Sequence, residues 1–195
     1  MADWNLDLRT LGYVVEDGAS PADVGPHLGR TGESSILSPH EPTIADQWSL
    51  SGTYGLDRFP WHTDGAVSSH PPRWLILRGV SVSEPTATEL LEPGPDLLGL
   101  LRQTVLRTQD RIGRVRHLPA VVPTEFGHRL RWDPRICTPR SGASVPEVET
   151  HEPTAVLSWK PGRLAVFDNA RLLHRRPAVV KGPGRQLERT FVWED

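Results

Sequence analysis

The sequence is poor in cysteine: Cys137 is the single one among 195 residues. A lone cysteine excludes an internal disulfide and is typical of proteins that work in a reducing compartment. The N-terminal residues, Met1 to Trp4, also lack the basic stretch followed by an apolar stretch that marks a secretory signal peptide. We therefore expect a cytoplasmic protein.

Long apolar runs and an excess of charge of one sign are missing as well. No stretch approaches the roughly 18 apolar residues of a membrane-spanning helix. The 22 Lys and Arg residues nearly balance the 24 Asp and Glu residues, which gives a formal net charge of -2. The sequence has no stripe of basic residues of the kind that indicates nucleic-acid binding. We expect a small-molecule substrate as partner and neither a membrane nor a nucleic acid, and the oligomeric state stays open.

The chain is rich in residues that interrupt regular structure. Its 19 Pro and 17 Gly favour short strands and loops over long helices. The length fits one domain with a sizeable core, so a single domain is expected over residues 1–195. We expect it to be mostly β with a few helices.

Local patterns predict particular elements. Recurring leucines predict one amphipathic helix over Leu97–Arg107. A turn at residues 181–184 predicts that the strands carrying His174 and Arg189 are antiparallel neighbours. Apolar segments predict further strands at 13–15, 71–80, 85–91, 155–159 and 164–167.

The segment Phe59–Gly65 reads Phe-Pro-Trp-His-Thr-Asp-Gly and predicts a short strand ending in a metal-binding step. Because side chains alternate across a strand, His62 and Asp64 point to one side and Thr63 to the other. A histidine and a carboxylate are two ligands of a 2-His-1-carboxylate metal site. Composition alone gives roughly one such step, so a surface histidine explains this one equally well when it is taken by itself.

A second segment, near the C-terminus, reads Gly-Arg-Leu-Ala-Val-Phe-Asp-Asn over residues 162–169, with His174 after it and Arg189 a further 15 positions on. Together the two segments resemble the TauD/TfdA family of Fe(II)- and 2-oxoglutarate-dependent oxygenases, which includes the clavaminate synthase-like enzymes. That family carries a His-Thr-Asp step, a distal Gly-x-Leu-x-x-Phe-Asp-Asn…His segment, and an arginine about fifteen residues later. The match covers both ends of the catalytic core, while residues 92–150 match loosely.

The resemblance implies a double-stranded β-helix, or jelly roll, in which His62, Asp64 and His174 hold Fe(II). It implies hydroxylation of a C–H bond of a polar small molecule, with O2 and 2-oxoglutarate consumed and succinate and CO2 released. Because halogenating relatives replace the carboxylate of the metal site with a small residue, Asp64 favours hydroxylation over halogenation. The rival third ligands are His117, His128 and His151.

The resemblance also implies residues that bind the cosubstrate. The far carboxylate of 2-oxoglutarate needs a permanent cation with a planar fork, and Arg189 is the first choice, with Arg185 and Arg176 as alternates. A threonine of the family hydrogen-bonds the cosubstrate carboxylate near the metal, and Thr88 fits it better than Thr86. The family's usual Gly-Gly-Asp before this threonine is absent.

Three residues are candidates for contact with the substrate. Tyr54 lies just before the metal-binding step, and Arg131 and Asp133 form an Arg-aromatic-Asp segment like one that borders the substrate in clavaminate synthase-like enzymes. Such charges suit an amino-acid-like molecule. Packing of Tyr54 beneath the strand, a surface ion pair of Arg131 and an Asp-Pro turn at Asp133 are the structural alternatives.

Two other classes of protein share some of these features. A cupin-like metal enzyme that does not use 2-oxoglutarate would need the His-Asp-His set but not Arg189. A non-catalytic binding domain would use the same histidines and carboxylate for structure alone. Fold and cofactor together do not fix the substrate.

Overall fold

The computed structural model describes residues 4–39, 49–109, 112–125, 127–179 and 184–194. The strands in these ranges are short and numerous, as the many Pro and Gly residues predict. They are β1 (Tyr13–Asp17), β2 (Arg30–Thr31), β3 (Ser35–Leu37), β4 (Trp74–Val82), β5 (Ala87–Leu91), β6 (Val105–Gln109), β7 (Val115–Pro119), β8 (Val121–Thr124), β9 (Gly127–Leu130), β10 (Cys137–Pro139), β11 (Ala155–Ser158), β12 (Arg163–Asp168), β13 (Leu173–Arg175) and β14 (Arg185–Trp193).

The helices are all short, since proline and glycine repeatedly interrupt the chain. In the part of the chain that the structure describes, none is long and apolar enough to cross a bilayer. They are α1 (Trp4–Thr10), α2 (Pro21–Val24), α3 (Leu50–Tyr54), α4 (Pro95–Arg102) and α5 (Val145–Glu149).

Two antiparallel sheets face each other across one apolar core. The larger sheet has the strand order β1-β12-β4-β14-β2, and β3 also pairs with β14. The smaller sheet has the order β11-β5-β13. Leu77 and Phe167 of the larger sheet share a buried cluster with Leu90 and Leu157 of the smaller one. This arrangement of two packed antiparallel sheets is the jelly roll that the resemblance implies.

Further elements surround this sandwich. The three-stranded sheet β10-β6-β7 and the hairpin β8-β9 pack with α4 and α5 around a second buried cluster that includes Trp61, Leu101 and Trp132. On the other side, α1 and α2 cover the outer face of the larger sheet, where Leu8 and Val24 pack against its strands. Trp61, the residue before His62, is therefore packed among elements outside the sandwich.

The helix predicted over Leu97–Arg107 ends five residues earlier than expected. α4 ends at Arg102, and β6 begins at Val105. The Thr104 hydroxyl donates to the Leu100 carbonyl at 2.8 Å, and β6 pairs with both β7 and β10. Pairing with strands distant in sequence outweighs the local leucine pattern, because helix propensity is worth only tenths of a kcal/mol per residue.

The prediction that the strands of His174 and Arg189 are antiparallel neighbours is wrong. β13 pairs with β5 in the smaller sheet, whereas β14 pairs with β4 in the larger one. Residues 181–183 of the predicted turn lie outside the described residues. A turn signal indicates a change of chain direction but not which sheet the next strand joins. The two side chains therefore approach the cavity from different sheets.

Candidate metal centre

The two histidines of the predicted triad meet across an isolated β-bridge. The His62 amide donates to the His174 carbonyl at 3.0 Å, and the His174 amide donates to the His62 carbonyl at 2.9 Å. Residues 59–64, all of them described, form no strand beyond this bridge, so the predicted strand is reduced to one pair. His174 is part of β13, so the bridge attaches His62 to a regular strand.

Asp64 is held in place through its backbone. Its amide donates to Asn169 Oδ1 at 2.8 Å, and Asn169 Nδ2 donates back to the Asp64 carbonyl at 3.0 Å and to the Pro72 carbonyl at 3.0 Å. The chain then turns at Gly65, whose φ of 71° favours glycine. Thr63 faces the other way, where its hydroxyl oxygen accepts the Trp132 amide at 3.1 Å. Asn169 of the distal segment therefore fixes the backbone of the first one.

The side chains of His62, Asp64 and His174 converge. Each offers one ligand atom, and these atoms all lie within 4.8 Å of one another. His174 Nε2 lies 3.7 Å from Asp64 Oδ2. His62 Nδ1 lies 3.0 Å from the Pro60 carbonyl, and donating to it leaves Nε2 with its lone pair for a metal. Two imidazoles and one carboxylate fit a divalent ion such as Fe(II) and leave coordination positions open.

The protonation of the cluster suits a cation. Burial, and after it the neighbouring His174, lowers the pKa of His62 to about 3, so the ring is neutral at physiological pH. Burial by itself raises the pKa of Asp64, but the hydrogen bond to His174 and the charge of Arg189 outweigh it, and the pKa lies well below its usual value. A neutral imidazole and an ionised carboxylate are the forms that bind metals.

The rival histidines lie elsewhere. His117 is exposed on β7, His128 lies on β9, and His151 Nδ1 contacts the Glu147 carbonyl at 3.0 Å. Across the described residues, the cluster of His62, Asp64 and His174 is the one group of histidine, cysteine and acidic side chains arranged to hold a metal.

A cavity of about 720 Å³ opens over this cluster. One part of its wall is apolar, formed by Phe59, Leu75, Leu77 and Ile136. The other part is strongly cationic and includes the guanidinium-bearing residues Arg135, Arg176, Arg185 and Arg189. The combination suits a ligand that is anionic at one end.

Thr88 and Arg185 meet in this wall. Arg185 Nη2 donates to Thr88 Oγ1 at 3.3 Å, and Trp159 Nε1 donates to the same oxygen at 3.0 Å. Because the oxygen already accepts two N–H groups, the hydroxyl hydrogen is available to donate to a ligand. Thr86 does not line the described cavity.

Arg185 is a buried cation whose described partners are uncharged. In the described ranges its guanidinium bonds to Thr88 and to the Ala87 carbonyl, and no carboxylate lies within ion-pair distance. Burial, together with the charge of Arg176, lowers its pKa to about 10. Isolated buried charge is costly unless it is paired, so this position is suited to an anionic ligand.

Arg189 lies at the metal end of the cavity. Its Nη1 is 3.5 Å from Asp64 Oδ1, and its guanidinium carbon is 4.6 Å from the centre of the Phe191 ring. Arg185 and Arg189 lie four residues apart and on one face of β14, since side chains alternate along a strand. Their Cα atoms are therefore about 13 Å apart along the strand.

The predicted substrate contacts fall at different places. Asp133 lines the cavity, but its Oδ2 already accepts from Arg135 Nη2 at 2.9 Å. Tyr54 packs beside Phe59, with the ring centres 6.2 Å apart, and does not line the described cavity. Arg131 Nη1 donates to the carbonyls of residues 66 and 68 at 3.0 and 2.6 Å, which fits a structural role.

Sequence reasoning missed Arg135. It stands two residues after Asp133 in an Asp-Pro-Arg turn, and its amide donates to Asp133 Oδ1 at 3.1 Å. An Asp followed two residues later by a donor is a local turn pattern that the sequence displays. The pattern could have indicated that Asp133 has a cationic neighbour of its own.

Comparison of the sequence with protein-family models gave no match, and comparison with curated proteins gave none either. Solved structures do match in fold. An asparagine oxygenase bound to Fe(II), (2S,3S)-3-hydroxyasparagine and succinate has a TM-score of 0.75 at 18% identity, covering 99% of this chain and 78% of that one. A taurine dioxygenase from Burkholderia xenovorans has a TM-score of 0.67 at 19% identity, covering 94% of this chain and 77% of that one.

A third structure has the same fold. The non-haem iron oxygenase OrfP, bound to Fe, succinate and (3S)-hydroxy-L-Arg, has a TM-score of 0.67 at 16% identity, covering 99% of this chain and 79% of that one. At these identities the likeness shows the fold, which is the jelly roll expected from the sequence.

Proposed function

We propose that this chain is an Fe(II)- and 2-oxoglutarate-dependent oxygenase that hydroxylates an unactivated C–H bond of a polar, amino-acid-like small molecule. The observation that carries the proposal is the pairing of two features in one cavity. A convergent His-Asp-His cluster lies beside a buried arginine and threonine for which the described part of the chain offers no anion. A metal site alone fits many enzymes, whereas a metal site next to a pocket for a dicarboxylate fits this class.

His62, Asp64 and His174 would hold the iron and leave its remaining positions to other ligands. When bound, Fe(II) and 2-oxoglutarate supply the activation of O2, so that R–H, O2 and 2-oxoglutarate give R–OH, succinate and CO2. The chain retains Asp64 where a halogenating site needs a small residue, so we propose hydroxylation and not halogenation.

The far carboxylate of the cosubstrate is assigned to Arg185 and Thr88. On β5, Leu90 pairs with the proposed metal ligand His174. Thr88 lies two residues from Leu90 on the same strand, a distance of about 7 Å along the strand. This is about the span of a five-carbon dicarboxylate whose other end lies at the metal. Arg185 supplies a fixed cation and the Thr88 hydroxyl a further donor.

Arg189, the first choice from sequence, fits this role less well. Its guanidinium already lies beside the Asp64 carboxylate, at the metal end of the cavity. We propose that it faces the substrate side of the metal. Asp133 would contact the substrate there together with Arg135, because the two side chains already form an ion pair with each other.

An amino-acid-like substrate is supported by two observations. Two of the similar structures hold hydroxylated asparagine and hydroxylated arginine, respectively. The cavity of this chain presents both signs of charge beside the metal cluster, at Arg189 and at the Asp133–Arg135 pair. Charge-assisted hydrogen bonds to such groups orient a zwitterion.

The test is an anaerobic titration with Fe(II) and then 2-oxoglutarate, followed by the visible charge-transfer band of the complex. We expect the band in the wild type and in Arg189→Met. We expect no band in His174→Ala, which loses a ligand, and a 2-oxoglutarate Kd raised at least tenfold in Arg185→Met. A substrate screen would then follow succinate release.

Two results would count against the proposal. A wild type that binds iron but shows no band would remove 2-oxoglutarate from the reaction and favour a cupin-like metal enzyme. A Kd for 2-oxoglutarate raised in Arg189→Met but not in Arg185→Met would assign the far carboxylate of the cosubstrate to Arg189 and leave the reaction class unchanged.

A further inference from the structure

We propose that Arg175 is a positioning residue for the metal centre and acts through Trp61. The inference rests on the proposed metal site, but it concerns residues outside the ligand set. Arg175 is 2% exposed, although arginine is almost never fully buried unless it is paired. The residues around Arg175 explain why a charged side chain is stable in this buried position.

The register of the bridge places Arg175 directly behind the metal cluster. His62 is paired with His174 in antiparallel fashion, so the preceding residue on one segment, Trp61, stands opposite the following residue on the other, Arg175. Because side chains alternate, this pair projects to the side opposite the two histidines. Cross-strand neighbours of this kind interact directly.

The contact between the two side chains is a close stack. The Arg175 guanidinium carbon lies 3.8 Å from the centre of the Trp61 ring. A cation over a tryptophan face is attracted by the ring, and more strongly when water is excluded, as it is around the fully buried Trp61. The stack joins the segment of His62 to the strand of His174.

Two carboxylates hold the stack from the far side. Arg175 Nε donates to Glu89 Oε2 at 2.5 Å, and its Nη1 lies 3.4 Å from Glu149 Oε2. Glu149 Oε1 also accepts the backbone amide of Trp61 at 2.9 Å. Glu149 of α5 therefore contacts both members of the cross-strand pair.

This network supplies what the backbone lacks. The backbone of residues 59–62 is joined to β13 and to Arg176, the residue after it, by the two hydrogen bonds of the bridge and by one from the Phe59 amide to the Arg176 carbonyl at 2.9 Å. Residues 59–61 are not part of a strand, and the Trp61 amide donates to the Glu149 side chain, so backbone pairing alone leaves Trp61 and His62 able to twist. The stack of Trp61 on Arg175, fixed by the Glu149 carboxylate, opposes that twist and so sets the distance between the two imidazoles.

The test measures metal binding and not turnover. Apo-protein is titrated with Co(II), whose visible spectrum reports the coordination geometry, and with Fe(II) under anaerobic conditions. We expect Arg175→Met to weaken binding of both metals roughly tenfold or more and to shift the Co(II) spectrum, as for other residues that orient metal ligands. Glu149→Gln, which preserves shape, should lie between this variant and the wild type.

Arg171→Met is the matched control. Arg171 makes three hydrogen bonds, to Glu92 and to the carbonyls of residues 9 and 10, and none of these reaches the metal segments. It should lower Tm without changing the Kd for metal or the Co(II) spectrum. Wild-type Kd and spectrum in a folded Arg175→Met would overturn the proposal. If that variant does not fold, an unchanged Kd in Glu149→Gln would do so.

The two proposals fail in different ways. A wild type that binds neither Fe(II) nor Co(II) stoichiometrically would remove the metal site, and with it the role of Arg175. A wild type that binds metal while the variants bind it equally well would leave the oxygenase proposal standing and remove the positioning role alone.

Discussion

At the residue scale, one hydroxyl group connects the protein core with the proposed cosubstrate. Thr88 is 3% exposed, and its oxygen accepts from the Trp159 indole and from Arg185. Both lone pairs of that oxygen are then in use. The remaining O–H can only donate, and a carboxylate is a good acceptor for it.

Removing this hydroxyl should weaken cosubstrate binding specifically. We expect Thr88→Val, which keeps the shape, to raise the Kd for 2-oxoglutarate about tenfold, since a hydrogen bond to a charged group contributes about 1.5–3 kcal/mol. Thr86→Val serves as the control and should leave the Kd unchanged. Anaerobic titration at saturating Fe(II) measures both, and equal Kd values in the two variants would contradict the assignment.

The sequence identified residues better than it identified their roles. It marked His62, Asp64 and His174, because a spaced motif identifies side chains that must converge. It put Arg189 ahead of Arg185 as the cation for the cosubstrate, although both point to one side of the same strand. The two arginines differ in their distance from Asp64 within the cavity. That distance depends on packing, which the spacing of residues in the sequence does not reveal.

At the scale of elements, α5 supports the metal segment through its last residue. Ser144 caps this helix by accepting the Glu147 amide at 3.4 Å, and the Glu147 carboxylate accepts the Ser144 amide at 3.0 Å. Such a capping box satisfies two amides that the helix leaves unpaired. It also fixes the start of the helix that carries Glu149.

Breaking the cap should destabilise the protein measurably. We expect Ser144→Ala to lower the free energy of unfolding by about 1 kcal/mol, and Ser144→Thr to stay near wild type because it keeps the oxygen. The hydrogen bonds to Ser144 lower the pKa of Glu147, so its contribution is present above the unfolded pKa and lost as the pH falls. Denaturant unfolding at two pH values measures both effects, and equal losses in both variants would contradict the cap.

Helices and strands could be predicted from the sequence where the local residue pattern determines them, but not where pairing with a distant strand determines them. The apolar run before Val82 gave β4, since a dense apolar segment is buried wherever it lies. The leucines after Pro95 gave a helix, but its continuation pairs as β6 with strands that follow later. A pattern in one segment contains no information about its partners.

At the scale of the whole molecule, the metal would join distant parts of the chain. Its ligands come from residues 62–64 and from β13, which belongs to the smaller sheet. An unfolded chain cannot bring these ligands together, so metal binding favours the folded state.

Metal should therefore raise the melting temperature. At 100 times its Kd, a metal that binds only the folded state adds about 2.7 kcal/mol, which corresponds to about 5–11 °C for a chain of this size. Calorimetry with Co(II), before and after EDTA, measures the rise and its reversal. His174→Ala should show no rise, and an equal rise in that variant would place the metal elsewhere.

The position of β14 has a consequence for how the chain is made. It is the last strand in the sequence, yet it lies inside the larger sheet, beside β4. On the ribosome, β4 must wait for about 100 further residues, or about 5–20 s of translation, before this partner exists. An unpaired apolar edge invites other chains to add to it. The risk of aggregation is therefore greatest during the seconds of synthesis.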